Sequence, residues 1–190
     1  MEKQKQLFII AGPNGAGKTT ASLTILPEVL QINEFVNADI IAYGLSPLNP
    51  DSVAIQAGRM MLLRINELLK EQVSFAIETT LATKSYASLI EKAQQLRYEV
   101  HLLYFWLKSP EFAFNRVEKR VLEGGHNIPK DVIKRRYVSG VANLFNIYTD
   151  ICDVVNVYDN TEGVPNLIFK VENTTFEIVN EELYALIKSV

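Results

Sequence analysis

Hydrophobic positions along the chain fall into two alternating patterns. Short, nearly continuous apolar runs at 7–11, 34–38, 74–78, 99–107 and 152–158 are what strands buried on both faces produce. Between them, at 19–26, 51–72, 84–97 and 110–122, apolar residues return every three or four positions. In the second of these segments Met61, Leu62, Ile65, Leu68 and Leu69 mark one face of a helix. Strands alternating with helices predict right-handed βαβ crossovers, hence an α/β fold with a five-stranded, mainly parallel sheet flanked by helices. The C-terminal part breaks the alternation. There 166–172 and 175–179 flank Asn173-Thr174 as a β-hairpin, and 180–189 reads as a short helix.

Length and composition narrow the class. At 190 residues, 48% hydrophobic and 22% charged, the chain has the make-up of an ordinary globular protein, and 1–190 is expected to be a single domain. A net charge of −3 with no long Lys/Arg run argues against a sequence-independent nucleic-acid binder. The single cysteine, Cys152, rules out an internal disulfide framework and fits a reducing compartment. The polar N-terminal segment MEKQKQ and the lack of a run of about 18 apolar residues point to a cytoplasmic location with no membrane association.

The first strand runs into Gly12-Pro13-Asn14-Gly15-Ala16-Gly17-Lys18-Thr19, which satisfies every fixed position of the phosphate-loop pattern G-x-x-x-x-G-K-[ST], between a strand and a helix as the chemistry requires. A loop that wraps phosphate must turn backbone N–H groups inward, and glycine permits both the dihedrals and the close approach. The helix that follows points its positive end at the same anion. Nucleotide binding is therefore expected over Gly12 to Thr19 and Thr20, namely Gly12, Pro13, Asn14, Gly15, Ala16, Gly17, Lys18, Thr19 and Thr20. Lys18 would reach the β- and γ-phosphates, and Thr19 would be the Mg²⁺ ligand. The loop alone also matches ABC transporter ATPases, but no LSGGQ-type signature follows, and no N-K-x-D guanine motif supports a GTPase.

Functional side chains of an α/β sheet collect at the C-terminal ends of its strands. The second strand ends Asn37-Ala38-Asp39 and the third Ile77-Glu78-Thr79-Thr80, so each puts a carboxylate at the rim where the phosphate loop opens. Two carboxylates, magnesium and cations are the inventory of phosphoryl transfer, in which an enzyme mainly positions groups and neutralises charge. Asp39 has a second reading as a helix N-cap, and Glu78 one as a solvated loop carboxylate. Further on, Arg116, Lys119 and Arg120 share a helix face, followed by Gly124-Gly125-His126-Asn127-Ile128-Pro129 and then Lys134-Arg135-Arg136. Cations flanking flexible backbone suit a lid over 116–137, with Arg120 and Arg136 as the catalytic pair. A solvated basic face is the alternative.

The phosphate loop, Asn37-Ala38-Asp39, Phe75-Ala76-Ile77-Glu78-Thr79-Thr80-Leu81, Gly124 to Pro129 and Tyr158-Asp159-Asn160 occur in that order. Together they resemble the zeta toxin family of P-loop kinases, over about residues 6–160. The resemblance implies an ATP- and Mg²⁺-dependent phosphotransferase. Its acceptor would be a hydroxyl of a small molecule, for zeta toxins the 3′-hydroxyl of the sugar in UDP-N-acetylglucosamine. Asp39 would be the catalytic base, with Lys18 at the phosphates. Glu78 and Thr80 would contact substrate, as would His126, which falls near a lid arginine of the family and whose other reading is packing or bonding at the turn; an antitoxin protein would be a candidate partner. The sequence departs from the family at Ala82, where the toxin carries Arg, and at Met61 or Leu62, where it carries a substrate-contacting Glu. A kinase of another small hydroxyl compound and a non-catalytic, nucleotide-dependent binding protein are the competing readings.

Overall fold

A computed structural model describes residues 4–125 and 127–190. Its frame is a single sheet. Strand β1 (Lys5–Ala11) lies at its middle, with no side chain from Leu7 to Ala11 more than 4% exposed. The others are β2 (Phe35–Val36), β3 (Phe75–Thr79), β4 (Tyr98–Trp106), β5 (Val154–Asp159), β6 (Asn166–Glu172) and β7 (Thr175–Ile178). They are ordered β2-β3-β1-β4-β5-β6-β7. The first five in that order run parallel; β5–β6 and β6–β7 are antiparallel. The sheet thus has seven strands rather than five. The hairpin is no appendage: β6 takes the open edge of β5 and extends the sheet.

The helices are α1 (Lys18–Glu28), α2 (Ala38–Leu45), α3 (Ala54–Glu71), α4 (Tyr86–Gln95), α5 (Pro110–Leu122), α6 (Lys130–Asn143), α7 (Thr149–Ile151) and α8 (Glu181–Lys188). A π turn, Leu144–Tyr148, joins α6 to α7. Of the stripe read along α3, Met61, Ile65, Leu68 and Leu69 are buried together with Ala57, whereas Leu62 is exposed. Three helices, α2, α6 and the short α7, are absent from the hydrophobic pattern. The run at 34–38 yields a strand of only Phe35–Val36, because the Asn37 side chain caps α2 at once by accepting from the Asp39 and Ile40 amides at 2.8 and 3.2 Å. Helix α6 carries the Lys134–Arg136 segment that the sequence leaves unassigned.

Register sets the rim. Ala11 lies beside Thr79 on one flank and Tyr104 on the other, and Val36 pairs with Ile77, which brings Asn37 level with Glu78. The chain leaves β1 for β2 and β3 on one side and returns to β4 and β5 on the other. The C-terminal end of β1 is therefore the switch point at which open α/β sheets bind ligands. Among the described residues no helix is long and apolar enough to cross a membrane.

Candidate active site

The loop after β1 has the backbone its glycines allow. Gly12, Gly15 and Gly17 have φ of 137°, 77° and 79°. A Cβ on Gly12 would come within 2.0 Å of the Phe105 carbonyl oxygen, so the loop lies against β4 as only glycine permits. Asn160, the last residue of the Tyr158-Asp159-Asn160 motif, supports the loop from beneath, donating from Nδ2 to the Ala16 carbonyl at 2.8 Å. The cradle is built, and it opens on a buried cation.

That cation is Lys18, 6% exposed. Its Nζ donates to the Pro13 carbonyl at 3.0 Å and lies 3.7 Å from Glu78 Oε1. Burial pushes the Lys18 ammonium below its ordinary pKa, against the pull of the Glu78 and Asp39 carboxylates and with a further lowering from Arg120. A cation held in a glycine cradle at so little solvent exposure suits an anionic ligand, and the residues present fit a triphosphate. For the metal, the Thr19 hydroxyl donates to Glu78 Oε2 at 2.8 Å, and Asn37 Nδ2 donates to the same oxygen at 2.7 Å. A hydroxyl and a carboxylate in contact beside the phosphate cradle are the oxygen donors magnesium prefers.

Glu78 is therefore no solvated loop carboxylate; its side chain is 9% exposed. Asp39 occupies the first turn of α2, and the cap belongs to Asn37. The Asp39 carboxylate accepts no hydrogen bond from the other described residues and lines a cleft of about 770 Å³ together with Lys18, Glu78, Thr80 and Arg136. The cleft extends from this rim between α3 and α4, along Ile55, Gly58, Leu62, Tyr86 and Leu89. Ala82, and both Met61 and Leu62, the positions at which the sequence departs from the family pattern, line it as well.

Of the basic residues, Arg116 serves the frame. Its guanidinium donates to the carbonyls of Gly15, Asn160 and Thr161 at 3.2, 2.8 and 2.9 Å, tying α5 to the phosphate loop. Lys119 is exposed. Arg120 is half-buried, with its stem against Gly125, where a Cβ would meet its Cγ at 2.5 Å, and its charge is felt at Lys18. Arg136 approaches from α6, with its Nη1 3.5 Å from Asn14 Oδ1. Arg136 thus reaches the loop from α6, while the Arg120 charge is felt at Lys18 from α5. Thr20 stands exposed on α1, next to Thr19. His126 lies outside the described residues.

Several contributors carry no signal in the sequence. Thr80 sits where it does because α6 packs on its backbone: a Cβ on Gly140 would meet the Thr80 carbonyl oxygen at 2.6 Å. Asn143 donates to the Leu81 carbonyl at 2.9 Å, holding Leu81 at φ 60°. A buried Asn and a helical Gly have no motif of their own. Asn37 could have been found, since an Asn that ends a strand two residues before an Asp is a capping signal.

A family model described as zeta toxin matches residues 48–167, more than half of the chain. The chain belongs to the zeta toxin family. The match begins after Asp39, so it does not cover the phosphate loop or that carboxylate. An uncharacterised protein of Haemophilus influenzae is 31% identical over 134 residues, which cover 70% of this chain and 94% of that protein. Among solved structures, the AvrRxo1-ORF1:-ORF2 complex with ATP superposes with TM-score 0.78 at 18% identity, covering 98% of this chain and 64% of the other. The PezAT chromosomal toxin–antitoxin system of Streptococcus pneumoniae gives TM-score 0.67 at 16% identity, covering 99% and 86%. At such identities these structures speak for the fold, that of a P-loop kinase. This zeta toxin family chain spans 64%, less than two-thirds, of the chain it matches in the AvrRxo1-ORF1:-ORF2 complex.

Proposed function

We propose that this zeta toxin family protein transfers the γ-phosphate of ATP to a hydroxyl of a small molecule held in the cleft between α3 and α4. One observation carries the reading. The Asp39 carboxylate, left without a hydrogen-bond donor among the described residues, lines the same cleft as Lys18 and Glu78. A carboxylate engaged as a cap could not serve as a base; this one is available.

In the proposed reaction Asp39 takes the proton of the acceptor hydroxyl as the acceptor oxygen bonds to the γ-phosphorus. The bond from that phosphorus to the β–γ bridging oxygen breaks, and ADP leaves with the electron pair. Lys18 must leave the Pro13 carbonyl to meet the phosphates, a short swing of one flexible side chain. Arg120 and Arg136 neutralise charge on the transferred group, and 116–137 serves as the lid that brings them in. Thr19, with Glu78 beside it, would hold Mg²⁺, which when bound screens the phosphate oxygens.

A UDP-sugar such as UDP-N-acetylglucosamine is the acceptor that family membership favours. Ala82, and Met61 or Leu62, take the places of the family's Arg and Glu in the resemblance, and they favour a different hydroxyl compound as the second reading. An antitoxin protein as partner belongs to the same proposal, on the likeness to the PezAT toxin–antitoxin system. The test is incubation with labelled ATP, magnesium and a panel of UDP-sugars, sugars and nucleosides, with products identified by mass. Label in one organic acceptor is expected. Slow release of inorganic phosphate with no labelled acceptor would remove the kinase reading.

A further inference from the structure

Most glycines of this chain have a visible reason. Gly12, Gly15, Gly17, Gly124 and Gly163 adopt positive φ, and a Cβ on Gly125 or Gly140 would collide with Arg120 or the Thr80 carbonyl. Two have neither reason: a Cβ on Gly44 or Gly58 would meet nothing within 4 Å, and both lie in ordinary helix. Interior glycine is among the least favourable choices for a helix, so such a position needs another explanation. Gly44 is exposed near the end of α2, where helix propensity matters least. Gly58 is different. It lies in the second turn of the 18-residue α3 and lines the cleft.

We propose that Gly58 is a specificity-determining residue, a missing side chain that keeps the acceptor cleft open where α3 faces α4. The inference rests on the reading of this cleft as the acceptor site. Cleft residues on α3 include Ile55, Gly58, Leu62, Ile65 and Asn66 at helical spacing, with Arg59 and Met61 beside them. At the other end of that stripe the helices are tied by an exposed contact, in which Lys92 Nζ on α4 donates to Asn66 Oδ1 at 2.7 Å. Helix α3 runs down to the start of β3, so Asn66 is remote from the rim and Gly58 lies toward it, on the side of Asp39 and Glu78. An acceptor whose hydroxyl meets Asp39 therefore has its body against the α3 backbone at Gly58, with Leu62, Tyr86 and Leu89 as apolar walls. That shape calls for a molecule extended well beyond its reacting hydroxyl, larger than a simple polyol, with a face that tolerates apolar contact.

Two variants test this, with Gly44→Ala as control. Gly58→Ala should raise the thermal midpoint by about 2–4 °C, since it removes an interior helix glycine without a clash; a lowered midpoint would mean that the glycine serves the fold and would overturn the inference. Gly58→Leu should raise the KM for the acceptor that the labelled panel identifies, with UDP-N-acetylglucosamine as first probe, by about tenfold or more. Its ATP affinity by calorimetry should stay within about twofold, because the leucine enters the acceptor half of the cleft only. Gly44→Ala should leave both acceptor KM and turnover unchanged. Unaltered acceptor KM in the Leu variant overturns the role of Gly58 alone, whereas a wild-type protein that labels no organic acceptor removes the phosphotransfer reading and this inference with it.

Discussion

Glu78 is the residue on which the site turns. One carboxylate accepts from the Thr19 hydroxyl and the Asn37 amide and stands 3.7 Å from the Lys18 ammonium, so the cradle, the capped helix and the strand end are fixed to one another. Asn37 does two jobs with one side chain, capping α2 through Oδ1 and holding Glu78 through Nδ2. Substitutions separate them. Asn37→Ser keeps a cap and loses the contact with Glu78; it should unfold within about 1 kcal/mol of wild type. Asn37→Asp also keeps the cap but puts a second carboxylate against Glu78, so it should be destabilised by more than the serine variant at pH 8 and recover as pH falls toward 5. Denaturant melts at the two pH values check both. At this scale the sequence was legible in its types and blurred in its roles. Lys18, Thr19, Asp39 and Glu78 stood out, but the alternative of Asp39 as a cap could be dismissed only once the cap was seen on Asn37. Arg116 looked like a third lid cation, and no spacing rule could foresee that its fork is spent on three backbone carbonyls.

At the scale of elements, the site is a junction of β1, β2 and β3 ends with the starts of α1 and α2, pressed from above by α5 and α6. The strands and the amphipathic α3 were readable because period and burial agree. Helix α2 was not, since its sequence is apolar nearly all round, with Ile40, Tyr43 and Leu45 left exposed, and shows no polar face to mark a helical period. Helix α6 was hidden for the opposite reason: its basic stretch looks like solvated loop. Yet α6 sets Thr80, through Gly140 against its carbonyl and Asn143 on Leu81. Gly140→Ala should therefore displace the Thr80–Leu81 turn and destabilise the protein by about 1–3 kcal/mol, with a larger loss in acceptor turnover than in ATP affinity. Unfolding midpoints and calorimetry read these separately. An unchanged midpoint would mean that the turn yields without cost.

The whole molecule joins the hairpin to the parallel sheet through the edge of β5, which no local pattern announces, because strand pairing is a long-range event. Its buried acids predict an alkaline limit. Burial pushes the Cys152 thiol from 9.0 up to about 12 and the Tyr148 hydroxyl from 10.0 up to about 12, and it raises Tyr104 and Tyr137 as well. Groups raised on folding favour the native state below their unfolded values and lose that contribution as pH rises through the interval. Stability should thus hold to about pH 9 and fall steadily between pH 9 and 12, as melts across that range would record. The central claim is that the rim sets a usable base across from the phosphate cradle. It is tested most directly by single-turnover transfer from labelled ATP in Asp39→Asn, alongside ATP affinity. A fall of roughly 10²–10⁴ in the transfer rate is expected, with ATP affinity held within about threefold. Transfer at the wild-type rate would contradict the account.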